Sequence, residues 1–188
     1  MARQLDLPIL SDRLVIRALS LDDFDRHYEI YSNPDVVRYL YYGPMDAIAA
    51  RSHLARRSTA ELPFEGSFLN LGVEVRGEDT LIGEVALGVV STVHRVCEVG
   101  YVFDPRWSGR GYAIESTTVM VDLAFDRLGA HRVIGRIDGR NGPSQRVLER
   151  LGMRREAHFR ENEFVKGEWT DEVVYAILED EWRARPRP

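Results

Sequence analysis

Across residues 104–115, DPRWSGRGYAIE, the chain leaves a strand and opens a long helix through two glycines one residue apart, with arginines at 106 and 110. On the strand side lies RVCEVGYVF (95–103). On the helix side Ile114, Thr117, Val121, Ala124, Phe125 and Leu128 recur at three- and four-residue spacing, and Gly129 supplies the stop. A strand that runs straight into such a helix commits the chain to a sheet with helices packed on it. The helix start has its own chemistry: its first amide N–H groups are unpaired and partly positive, and glycines let a phosphate approach the backbone. On this motif alone two readings stand, a tight turn and a phosphate cradle. It lacks the lysine and hydroxyl of a magnesium-nucleotide loop, and the third glycine and early position of a dinucleotide-binding turn.

The flanking patterns agree with a mixed sheet. Residues 13–19, RLVIRAL, alternate like a first strand, and SLDDFDRHYEIYSNP (20–34) reads as a helix capped by Ser20 and ended by Asn33-Pro34. A second helix is predicted from Asp46 to Thr59, with ELPFEGS as the loop behind it. Leu69, Leu71, Val73 and Val75 alternate, RGED (76–79) turns, and TLIGEVALGVV returns as the partner strand. A strand at 131–137 and a short helix at 141–152 follow, with Pro143 in its first turn and Gly152 past its end. Two closing strands, 154–165 and 171–179, flank a turn at KGEW. With no repeat and no long linker, the expectation is a single α/β domain spanning 1–188, its core about 10–180.

With 44% hydrophobic and 29% charged residues the 188-residue chain has the composition of a folded globular protein, and no run approaches the ~20 apolar residues that cross a bilayer. MARQLDLPIL lacks the apolar stretch of a signal peptide, and a lone Cys97 forms no internal disulfide, so a cytoplasmic protein is expected. A net charge of −5 creates no field for nucleic acid and is compatible with a cationic acceptor. The RARPRP tail reads as a solvated, frayed end. His27, His53, His94, His131 and His158 show no metal-ligand spacing and are expected at the surface or at caps. Cys97, next to Glu98 on a strand, faces the opposite side and is expected to be a small buried residue.

The glycine motif does not stand alone. Arg106, Gly109 and Gly111 spell R-x-x-G-x-G between strand and helix. SDRLVIRAL, LIGEVAL, CEVGYVFDPRWSGRGYAIES, HRVIGRIDGRNGPSQRVLERLGM and GEWTDEVVYAILEDEW follow in order along nearly the whole chain. This set resembles the GCN5-related N-acetyltransferases (GNAT), and among them the RimJ/RimL-like branch of ribosomal-protein N-terminal acetyltransferases. The resemblance implies a mostly antiparallel central sheet flanked by helices, splayed strands forming a coenzyme A cleft, and acetyl-CoA as cosubstrate with no metal. It implies that Arg106, Gly109, Arg110, Gly111, Tyr112 and Ala113 cradle the pyrophosphate. The backbone of Tyr101, Val102 and Phe103 would pair with the pantetheine arm, and Asn141 would hydrogen-bond it.

Acetyl transfer to an amine needs a neutral amine, a polarised thioester carbonyl and a proton for the departing thiolate. By the same resemblance Glu98 acts as base through water, with Glu84 as the rival carboxylate. The tyrosine that many members use as acid is replaced by Leu148, and the serine of the branch falls on Ser144. An α-amine of pKa ~8 is about one-tenth neutral at pH 7 and needs less help than a lysine amine, which favours α-amines. Tyr39, Tyr41 and Tyr42 in RYLYYGP are expected to line the acceptor cleft, and residues 51–67, with least family pattern, to shape acceptor choice. The expected partners are acetyl-CoA and an amine acceptor, a protein N-terminus or a small molecule, with neither nucleic acid nor membrane. A homodimer is compatible by analogy with relatives. Two alternatives stand beside this: an enzyme using a larger acyl-CoA such as succinyl-CoA, and a catalytically silent CoA-binding sensor.

Overall fold

The structure, a computed structural model, describes residues 5–185. The chain begins with β1 (Ile9–Leu10) and β2 (Leu14–Ala18), a 3-10 turn (Leu21–Asp23), α1 (Phe24–Tyr31), α2 (Pro34–Val37) and α3 (Ala47–Arg57). Three long strands follow, β3 (Phe68–Val75), β4 (Leu81–Ser91) and β5 (Val96–Phe103), and then α4 (Tyr112–Asp126). The last part runs β6 (Arg132–Asp138), α5 (Gly142–Arg150), β7 (Arg154–Val165), β8 (Glu168–Leu178) and α6 (Glu179–Ala184). All eight strands form one sheet in the order β1-β2-β3-β4-β5-β6-β8-β7. Among the described strands only the β5–β6 pair is parallel, so the sheet is mixed and mostly antiparallel.

Helices cover both faces. The larger core lies between the sheet and α4, α5 and α6, where Met120, Val121, Ala124 and Phe125 meet Val85, Leu87 and Val99, with Leu148 and Trp182 beside them. Each larger side chain buried there contributes about 1.5–3 kcal/mol. A smaller core on the opposite face joins Ile30 and Tyr31 of α1 and Leu54 of α3 to Leu81 of β4. Cys97 belongs to the larger core, and burial pushes its thiol up to about 11, so it is an inert packing residue.

Three details depart from the sequence reading. The helix expected over 20–34 is a 3-10 turn capped by Ser20 followed by α1, and Asn33-Pro34 starts α2 as well as closing α1. Asn33 accepts from the Asp35 amide while Pro34 takes the first helical position, so a stop signal doubles as a start. The turn before the last strand is just Lys166 and Gly167, both at positive φ, which leaves Trp169 inside β8. The tail is docked rather than frayed as far as Arg185: Arg183 pairs with Asp126 and Arg185 donates to the Leu151 carbonyl. Residues 186–188 of that tail, and 1–4 at the front, lie outside the described residues.

The feature that positions the site is a parting of the two parallel strands. Val96, Cys97 and Glu98 pair with Arg132, Val133 and Ile134, and the ladder stops there. β5 continues along β4 as far as Phe103, and β6 continues along β8 as far as Asp138. From Val99 and from Gly135 onward the two strands therefore face each other across a gap with their inner edges unpaired.

Candidate active site

The gap opens into a cleft of about 410 Å³. Its edges are Val99–Val102 of β5 and Gly135–Asp138 of β6. On the α5 side it is bounded by Asn141, Ser144 and Leu148; on the other face by Tyr39, Tyr41, Tyr42, Arg57 and Glu84, with Glu163 and Thr170 from the β7–β8 hairpin. Because these groups come from both faces, the cleft passes through the sheet.

On the α5 side Asn141 is the helix cap: its side-chain oxygen accepts from the Ser144 amide at 3.2 Å. Leu148 packs flat against β6, since a Cβ on Gly135 would lie 2.8 Å from it. The Tyr101 hydroxyl spans the gap to donate to the Ser144 carbonyl at 3.0 Å, and burial holds its pKa well above the usual value. The sequence reading used only the backbone of Tyr101; its side chain places a second hydroxyl near Ser144.

On the opposite face Glu84 is 2% exposed and has three partners. One oxygen meets His27 Nδ1 at 2.6 Å, and the other accepts from the Tyr31 hydroxyl and from Arg57, each at 3.1 Å. Burial alone would raise the Glu84 pKa, but the His27 bond and the nearby cations reverse that and hold it below the ordinary value. His27 Nε2 lies 3.0 Å from His53 Nδ1 on α3. Burial, the charge of Arg57 and that of His27 push His53 down to about 4. The surface location expected for the histidines fails for these two, both of which are buried. Nothing in the local sequence marks them: their partner is a strand carboxylate 57 residues downstream of His27.

Glu98 stands on the last rung before the gap. Its carboxylate is bound by Arg136, with Nη2 at 2.7 Å and Nε at 3.2 Å, and Glu172 lies 3.9 Å from the same arginine. Glu98 itself is not part of the cleft lining, whereas Arg136 is. Tyr41 donates to Glu163 at 2.9 Å, both residues lining the cleft.

The glycine loop follows the end of β5 and lies outside the cleft lining, as do Phe103 at the last position of β5 and Tyr112 and Ala113 at the start of α4. Gly109 and Gly111 have φ of 77° and 82°, a region side chains rarely adopt, and Gly111 is the cap of α4. A Cβ at Gly109 would meet no atom within 4 Å, and one at Gly111 only the Arg13 guanidinium at 3.4 Å, so the backbone is bare on that side. Arg106 is held by Asp104 and Glu29, and Arg110 lies over the Trp107 ring. An unpaired strand edge leading to a bare, positively φ-turned helix start fits a ligand with an amide-bearing arm and a pyrophosphate. Among the described residues no cluster of His, Cys, Asp and Glu suits a metal ion.

This is the architecture of an acyl-transfer enzyme, and the comparisons name the family. Residues 13–154 match the model of the acetyltransferase (GNAT) domain, and the chain belongs to the GNAT family. It is 32% identical over 174 residues to an uncharacterised N-acetyltransferase of Bacillus subtilis, YnaD, covering 93% of this chain and 98% of that one. It is 25% identical to the ribosomal protein uS5 alanine N-acetyltransferase of Escherichia coli, covering 93% and 92%. A crystal structure of a GNAT-family acetyltransferase from Bacillus anthracis superposes with a TM-score of 0.82 at 31% identity, covering 92% of this chain and 98% of that one. The protein is thus an N-acetyltransferase, acting on amino groups.

Proposed function

We propose that this enzyme transfers an acetyl group from acetyl-CoA directly to a primary amine, either the α-amine of a protein N-terminus or a small amine. The observation that carries the reading is the parted pair β5 and β6, whose gap crosses the sheet and gives two substrates opposite faces from which to meet. Bound acetyl-CoA supplies an acyl group already activated as a thioester. The unpaired edge at Tyr101, Val102 and Phe103 is suited to hold its pantetheine arm, and the amides around Gly109 and Gly111, with Arg106 and Arg110 nearby, its pyrophosphate. Asn141 and Ser144 border that arm from α5. Ser144 is the proposed proton donor to sulfur, with the Tyr101 hydroxyl next to it.

The acceptor enters from the α1–α3 face. Tyr39, Tyr41 and Tyr42 form an aromatic wall there, and an ammonium sits well against such rings. Two carboxylates are candidates to receive the proton that the ammonium must lose: Glu84, which lines the cleft, and Glu98, on the last paired rung beside it. Arg57, from the stretch expected to shape acceptor choice, lines the same pocket.

The decisive assay measures free CoA thiol released from acetyl-CoA with N-terminal peptides, lysine peptides, polyamines and aminoglycosides. Turnover with one class identifies the acceptor. Turnover only with another acyl-CoA, or tight CoA binding with no turnover on any amine, overturns the reading.

A further inference from the structure

Among the described residues two buried side-chain oxygens have no hydrogen-bond partner, Thr117 Oγ1 within α4 and Glu172 Oε1 on β8. The second belongs to the site. Asn162 donates to the other oxygen of Glu172 at 2.8 Å. Arg136 Nε stands 3.9 Å from the orphaned one, about 1 Å too far for a charge-assisted bond. A buried carboxylate oxygen left bare beside a guanidinium is costly, and it marks a seat that the guanidinium does not occupy in this conformation. Arg136 is instead turned to Glu98, which it holds through Nη2 and Nε. Burial, and then Glu163, push the Glu172 carboxyl above its ordinary value against the pull of Arg136, with Glu98 adding to the push. The three carboxylates crowd a single guanidinium. Arg136 also lines the cleft, whereas Glu98 does not. What enters therefore meets the guanidinium first, and an ammonium is repelled by it before it can reach the carboxylate behind.

We propose that Arg136 is a positioning residue with two seats: it leaves Glu98 for Glu172 Oε1 as the acceptor arrives, and so gives Glu98 to the acceptor ammonium. This rests on acetyl transfer to an amine as the reaction. The step is an exchange of ion pairs in which no covalent bond forms or breaks and no proton moves. Before it, Arg136 pairs with Glu98 and Glu172 Oε1 is bare. After it, Arg136 is bonded to Glu172, the ammonium is paired with Glu98, and the bare oxygen is satisfied. Neither half is favourable alone. Without the ammonium, Glu98 would be stripped of its partner; without the vacant seat, the guanidinium would have no carboxylate to receive it. The exchange selects an acceptor that arrives charged and brings its nitrogen to one of the two candidate bases. Glu84, whose three partners are all in place, offers no such exchange.

Glu172→Gln keeps the shape of the second seat and removes its charge, while Arg136→Gln uncovers Glu98 permanently. The readout is KM for the fastest acceptor among N-terminal peptides, lysine peptides, polyamines and aminoglycosides, with acetyl-CoA saturating. Glu172→Gln should raise it at least about 3-fold and Arg136→Gln should lower it by a similar factor, with kcat changing less. In the double variant Glu172→Gln should add nothing, because no guanidinium is left to take the seat. An equal rise in both backgrounds, as a purely structural role would give, overturns the exchange. So does a KM raised by Arg136→Gln or left unchanged by Glu172→Gln. Calorimetric acetyl-CoA affinity reports that each variant is folded. Arginine Nε NMR of the wild-type protein adds a readout that depends on no variant: with CoA bound, the Arg136 signal should move as the same acceptor is added. Turnover alongside a stationary signal refutes the exchange alone, whereas no thiol release with any amine of the panel refutes the reaction and the exchange together.

Discussion

His53 shows how much a single buried ring can govern. Its pKa is pushed from 6.5 to about 4 in the fold, so between those values the unfolded chain binds a proton there that the folded chain does not. Stability contributed by the neutral ring is therefore complete above about pH 6.5 and declines as pH falls towards 4, by on the order of 3 kcal/mol from the two values. Thermal melts across that window should show Tm falling with pH, and His53→Gln should flatten the dependence; an equally steep curve in the variant would assign it to other groups. Such a role is invisible in sequence. The sequence reading reached Glu98, Ser144, Asn141 and the rival Glu84 through family resemblance, whereas the meeting of Glu84 with His27 and His53 exists only after two helices dock on β4. Arg106 teaches a related lesson: its motif position and its pairing with Asp104 are local, but its pairing with Glu29 depends on the distant α1.

Elements were readable where their period was long and their ends chemically marked. The alternation from Leu69 to Val75 and the apolar stripe of α4 survive as a strand and a helix, although β3 is covered on both faces, with Asn70 and Gly72 buried along with Leu69, Leu71 and Val73. The two-residue β1 and four-residue α2 are too short to show a period at all. The start of α4 yields a direct test of the cradle. Gly111→Val places a branched side chain at φ 82° on the side that now holds only the Arg13 guanidinium, so acetyl-CoA affinity by calorimetry should fall at least about 10-fold. Backbone strain should also lower stability by on the order of 1–2 kcal/mol. Affinity unchanged in a folded variant would mean that the pyrophosphate lies elsewhere.

Taken whole, the sheet is two blocks, β1–β5 and β6–β8, joined in the middle by a ladder only three residues long on each strand. A ligand bridging the unpaired edges stitches those blocks together, and saturation at 100 times Kd adds about 2.7 kcal/mol to stability. Amide exchange should then slow most at Val99–Phe103 and Gly135–Asp138 on adding acetyl-CoA. Slowing spread evenly over the sheet would point to binding outside the gap. The parting of the strands was legible only through resemblance, since no periodicity in 95–103 or 131–137 says where a ladder ends. That opening also has a consequence for traffic. On the proposed reading, a cleft lined from both faces of the sheet lets the donor and the acceptor approach from opposite sides, so the order in which they arrive and their products leave is set by affinity and chemistry, and not by one blocking the other.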